Sequence, residues 1–166
     1  MLPYTICFIQ SGSKILLLNR NKAPNMGLWN GVGGKIEAGE SIEDSIKREI
    51  LEETGLDLDN VEYRGKVIWR SERGESGMYM FVCCLDHPVA EDVAVQTREG
   101  ILSWKELDWI LDKENKGVVS NIPYYLGCAL QETGIYEHRF TYKNGMIMEY
   151  SKQGLAEEHA PLSEMV

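Results

Sequence analysis

The chain has 166 residues, 43% of them hydrophobic, and a formal net charge of −9 at pH 7. That length builds one sizeable core rather than two domains, and the acidic balance argues against stable nucleic-acid binding through neutralised phosphates. No window approaches the roughly 18 to 20 apolar residues of a membrane span, and the opening MLPYTICFIQ carries no charged leader, so a soluble cytoplasmic protein is expected.

In chain order, YTICFIQSGSKILLLNR reads as two strands hinged at Ser11-Gly12-Ser13. A loop rich in Asn, Pro and Gly is expected from Asn19 to Gly34. Ser41 then stands as a helix N-cap with Asp44 as capping-box partner, and Gly55 as the stop, predicting a helix over Ile42 to Thr54. VEYRGKVIWR and GMYMFVCCLD read as strands joined by the charged turn SERGES, and GILSWKEL as a strand entering a short helix near Trp109. NIPYYLGCALQE reads as another helix, and YEHRFTYKNGMIMEY as a hairpin turning at Asn144-Gly145. Residues 1–151 are expected to form the domain and 152–166 a loosely ordered tail. Hairpins mixed with isolated helices indicate α+β or mixed α/β packing rather than a doubly wound parallel sheet. The cysteines Cys7, Cys83, Cys84 and Cys128 form no CxxC pair and are expected to be reduced, with the tryptophans, in or near the core.

The predicted helix carries an unusual charge pattern. From Glu37 to Glu53 lie Glu37, Glu40, Glu43, Asp44, Glu49, Glu52 and Glu53, against only Lys47 and Arg48. With Glu49 at zero on a helical wheel, Ile42, Ile46 and Ile50 fall at roughly 20°, 60° and 100°, Glu53 near 40° and Glu52 near 300°. Glu49 and Glu53 therefore lie within the isoleucine stripe, where an unpaired carboxylate costs several kcal/mol. Either their pKa values rise or a cation sits among them. Three glutamates at i, i+3 and i+4 suit a hard cation, Mg²⁺ or Mn²⁺, and not zinc. The preceding GVGGK lets backbone approach a ligand closely, but it lacks the last Gly of a dinucleotide fingerprint and the Ser/Thr of a P-loop.

Gly34, Glu40, Arg48-Glu49-Ile50, Glu52-Glu53 and Gly55-Leu56 satisfy every fixed position of the Nudix box over 23 consecutive residues, so the chain resembles the Nudix hydrolases. The resemblance implies an α/β/α sandwich with a mixed sheet, a loop-helix-loop metal site and cleavage of a nucleoside diphosphate linked to a further moiety. It implies that Glu49, Glu52 and Glu53 bind Mg²⁺, that the Gly33 carbonyl adds a ligand, that Arg48 orients the glutamates, and that Glu40 braces the loop. One carboxylate, assigned to Glu49, would take the proton of the attacking water.

LWNGVGGK, REGILSW and the closing hairpin extend the resemblance to the MutT-type branch, which removes oxidised purine triphosphates such as 8-oxo-dGTP from the nucleotide pool, a form of DNA repair by prevention. It carries base reading to Asn30 and Asn121, whose amides present both a donor and an acceptor, and an additional metal ligand to Glu99. Arg20 and Lys35 are candidate phosphate contacts, and Trp29 a packing residue. Lys66, Arg70 and Arg73 flank one turn and make only a small patch, so an RNA substrate is not favoured. The alternatives are another Nudix pyrophosphatase, acting on ADP-ribose, a nucleotide sugar, a dinucleoside polyphosphate or an RNA 5′ end, and a noncatalytic nucleotide-binding module. The enzyme is expected to work as a monomer or homodimer on a small nucleotide.

Overall fold

The computed structural model describes residues 1–87, 94–131 and 134–156. Strands β1 (Tyr4–Ser11) and β2 (Lys14–Arg20) form the first hairpin, closed by the positive φ of Gly12. Their unbroken apolar runs follow from burial on both sides. Ile6, Phe8, Ile15 and Leu17 enter one core, while Cys7, Ile9, Leu16 and Leu18 enter the other.

Two short strands, β3 (Trp29–Asn30) and β4 (Val32–Lys35), form where a loop was expected. Local sequence cannot signal them, because their partners are distant: β3 pairs with Leu18 and Asn19, and β4 with Tyr4 to Cys7. Helix α1 runs Ile42–Thr54 as the caps predict, with the Asp44 N–H donating to Ser41 Oγ and the Gly55 N–H to the Leu51 carbonyl.

Strands β5 (Glu62–Ser71) and β6 (Gly74–Cys84) meet at a turn tighter than SERGES suggests, Glu72-Arg73 alone. After β7 (Val95–Gln96) and β8 (Gly100–Glu106) come the helices α2 (Leu107–Leu111) and α3 (Ile122–Gln131). Strands β9 (Ile135–Lys143) and β10 (Met146–Leu155) turn at Asn144-Gly145, both at positive φ. β10 continues past the expected domain end, so Lys152 to Leu155 are strand rather than tail. Residues 157–166 of the expected tail lie outside the described residues.

The sheet runs β10-β9-β5-β6-β1-β2-β8-β7, with β3 on β2 and β4 on β1; the pairs β1/β6 and β5/β9 are parallel and the others antiparallel. α1 covers one face through Ile42, Ile46 and Ile50. α2 and α3 cover the other through Ile110, Ile122, Tyr125, Leu126 and Ala129. The result is the expected helix-sheet-helix layering with few helices. Among the described residues no helix is long and apolar enough to cross a membrane.

Candidate active site

Arg48 is the hub of the loop-helix junction. Its Nε and Nη2 donate to the two oxygens of Glu40 at 2.9 and 2.7 Å, its Nη1 to Glu49 Oε1 at 3.0 Å and Glu52 Oε2 at 3.3 Å, and its Nη2 also to the Lys35 carbonyl. A planar fork with five donors makes such a set where an ammonium would not. The fork holds the Glu40 carboxyl down at about pKa 2, helped by the Glu37 N–H. Glu40 Oε1 accepts from that N–H at 2.7 Å, so one carboxylate ties the loop to the helix.

Glu53 lies deeper, 8% exposed, with Oε2 accepting the Gly33 N–H at 3.0 Å. Burial pushes its pKa up to about 8; Glu49 and Glu99 add to the rise, and Gly33 and Arg20 oppose it. The Glu49 carboxyl is also raised, by burial first, with Arg48 pulling the other way. Glu52 is 60% exposed and, among the described residues, pairs with Arg48. Among the described residues no three acidic, His or Cys side chains form a ready-made metal cage. The donor set nevertheless fits a hard divalent cation: Glu53 and Glu49 are oxygen ligands whose charge burial disfavours, and a cation beside them removes that penalty.

Two glycines bring the loop onto the helix. A Cβ on Gly33, at φ +155°, would stand 2.1 Å from the Thr5 carbonyl oxygen, and one on Gly34 would stand 2.5 Å from Glu49 Oε1. At Gly33 the obstacle is β1 backbone, which excludes a side chain; at Gly34 it is the Glu49 carboxylate, which a side chain would displace.

Next to the carboxylates opens a cleft of about 1270 Å³. Glu53, Gly33, Lys35, Arg20, Asn30 and Asn121 all line it. Glu49, Glu52 and Glu99 do not, although Glu99 acts on Glu53 and pairs with Lys22 at 3.5 Å. The two amides meet there through a tertiary tie: Trp29 N–H donates to the Gly117 carbonyl and Val119 N–H to the Trp29 carbonyl, at 2.8 and 3.0 Å. Asn30 Oδ1 accepts the Gly31 N–H at 2.9 Å, and the residue lines the cleft. Asn121 is 6% exposed, and among the described residues its Oδ1 has no hydrogen-bond partner.

The cleft also exposes aromatic faces that sequence reasoning left in the core. Trp69 lines it, stacked on Tyr4 with ring centroids 6.5 Å apart. Only strand phase hinted at this, since Trp69 shares the face of Val67 near the end of β5. Trp109, also expected near the core, is exposed and shares Lys105 with Trp29, which packs as expected.

A loop-helix carboxylate cluster therefore stands at one end of a mixed sheet, beside a cleft lined by amides and cations. The NUDIX domain model matches residues 2–122, and the chain belongs to the Nudix family, hydrolases of phosphoanhydride bonds in small nucleotides that generally use divalent metal ions. It is 31% identical to the uncharacterized Nudix hydrolase YvcI of Bacillus subtilis over 83% of this chain and 85% of that protein. It is 32% identical to the oxidized purine nucleoside triphosphate hydrolase of Mus musculus over 64% of this chain and 67% of that protein. Among solved structures, the mutator MutT protein of Bacillus halodurans superposes with a TM-score of 0.74 at 26% identity, covering 92% of this chain and 98% of that one.

Proposed function

We propose that this Nudix hydrolase is a nucleoside triphosphate pyrophosphohydrolase, cleaving oxidised purine nucleotides such as 8-oxo-dGTP to monophosphate and pyrophosphate. The observation that carries the reading is the cleft itself, which joins the Glu53 end of α1 to two amide side chains, Asn30 and Asn121. The mouse relative named for oxidised purine nucleotides supports the same reading.

Glu49, Glu52, Glu53 and the Gly33 carbonyl would hold Mg²⁺, or Mn²⁺ in its place, with Glu99 near enough to join through its loop. The chemistry that bound metal supplies is neutralisation of the polyphosphate, polarisation at phosphorus and a lowered water pKa. Arg48 orients Glu49 and Glu52 from behind, and Glu40 holds Arg48. Lys35 and Arg20 bind phosphate oxygens where they line the cleft. Glu49, whose carboxyl burial raises above its ordinary value, takes the proton of the attacking water. Asn121 Oδ1, an acceptor with no hydrogen-bond partner among the described residues, receives a ring N–H of the base, and the Asn30 amide donates to a carbonyl. The N7–H of 8-oxoguanine is a donor that guanine lacks.

The test is kcat/KM for 8-oxo-dGTP, dGTP, 2-hydroxy-dATP, ADP-ribose and a 5′-triphosphorylated RNA in Mg²⁺. A preference of about a hundredfold for 8-oxo-dGTP is expected, reduced to about tenfold or less by Asn121→Ala. Glu53→Gln should lower every rate by roughly a thousandfold with the fold retained. A flat profile, or a preference for ADP-ribose or RNA, would remove the oxidised-purine reading.

A further inference from the structure

The cleft exceeds the roughly 300 to 1,000 Å³ that a drug-sized ligand fills, at about 1270 Å³. Beyond the carboxylate end and the amides, three more cations line it: Arg73, from the β5–β6 turn, and Lys113 and Lys116, from the segment between α2 and α3. They come from opposite sides of β1. On one side β6 pairs with β1 at Met78↔Tyr4, and Gly74 lies four residues further along, about 13 Å at strand rise. On the other, the Trp29–Gly117 hydrogen bond seats Lys116 beside β3.

Among the described residues none of the three cations is in an ion pair. Lys113 Nζ sits 4.6 Å from the centre of the Tyr124 ring, which steadies the ammonium without neutralising it. Glu72, the acid at this rim, accepts the Asn144 N–H at 2.9 Å and also interacts with the neighbouring Arg73, which leaves the two lysines as the rim's unopposed charges among the described residues. In a chain of net charge −9, a cleft lined by five basic and two acidic side chains focuses a local positive field. Arg20 and Lys35 serve the triphosphate. The outer three have no anion to meet on a simple nucleoside triphosphate.

We infer that Arg73, Lys113 and Lys116 bind a second phosphate, carried on the 3′ oxygen of a nucleotide whose triphosphate faces α1. The inference rests on the triphosphatase reading above. With the 5′ chain at the carboxylates and the base at the amides, the 3′ oxygen is the attachment point left to reach the outer rim. A second nucleoside joined through the 5′ phosphates would instead leave from the carboxylate end. The shared chemistry is a 3′-phosphoryl group, either a monoester on a free mononucleotide or the first phosphodiester of a 5′-triphosphorylated oligonucleotide.

The experiment compares dGTP, dGTP bearing a 3′-phosphate, and the 5′-triphosphorylated dinucleotide with the same first nucleotide. The wild type should show kcat/KM about tenfold higher for at least one extended compound. In the double variant Arg73→Ala, Lys116→Ala the extended compounds should fall to that variant's own dGTP value, so that the gain relative to dGTP is lost. A gain for the monoester alone identifies a mononucleotide, and a gain for the dinucleotide an oligonucleotide end. Equal values for all three compounds, or a gain that survives in the double variant, would overturn the inference. Calorimetric binding of the same compounds in Mg²⁺ keeps the two readings apart. Tighter binding of an extended compound, lost in the double variant but without hydrolysis of any, overturns the triphosphatase reading and leaves the phosphate rim standing.

Discussion

Glu53 couples the site to stability because its folded pKa, about 8, stands well above the ordinary carboxylate value of 4.5. A raised carboxyl contributes stability in full below about pH 4.5, where both states are protonated, and loses it as pH rises through about 8, where the folded state must bury a charge. In EDTA, Tm should fall by about 5 °C or more between pH 5.5 and 8.5, and Glu53→Gln should flatten that fall. An equal slope in the variant would locate the effect elsewhere. Mg²⁺ should raise Tm more at the higher pH, because binding displaces the proton. Gly34 acts through shape rather than charge. A methyl there meets the Glu49 carboxylate at 2.5 Å, so Gly34→Ala should lower kcat by about a hundredfold, with a loss of only about 1 kcal/mol in stability as the side chain swings away. A variant with wild-type kcat would show that Glu49 need not stay where it is.

Helix α1 is held by its apolar stripe and its caps, separately from the chemistry it carries. Ile46 is fully buried between Ile42 and Ile50 in the core beneath α1. Ile46→Ala should cost about 2 to 5 kcal/mol in urea unfolding. Ser41→Ala removes the hydrogen bond to the Asp44 N–H and should cost about 1 kcal/mol. Both variants should keep KM near wild type while they remain folded, because neither residue lines the cleft. The element boundaries follow the same division. α1 and the β9–β10 turn were legible because caps and an Asn-Gly pair are local signals. β3 and β4 were not, since short strands gain their identity from partners elsewhere in the chain.

For the whole molecule, net charge and local charge have opposite signs. Repulsion by a −9 chain would be relieved by salt, whereas a cleft with five cations loses attraction as salt screens it. Raising KCl from about 50 to about 300 mM should therefore lower kcat/KM for the Mg²⁺ nucleotide severalfold, mostly through KM. A rise would mean that the net charge dominates. Arg73 makes the same point: in sequence it joins Lys66 and Arg70 in a small patch, but the fold carries it to the rim of the cleft with Lys113 and Lys116.

The sequence by itself determined the family, the mixed α+β class and the position of the carboxylates relative to the isoleucine stripe. These rest on spacing within one helix and one loop, and helical geometry turns spacing directly into a face. Only the tertiary structure decided that Glu53 is buried while Glu52 is exposed, that Arg48 holds Glu40, Glu49 and Glu52 in one fork, and that Trp69 faces the cleft. It alone brought Asn30 and Asn121 to one cleft through the backbone tie between Trp29 and the segment before α3. Such relations depend on strands and loops far apart in the chain, and no local pattern of residues encodes how those segments pack.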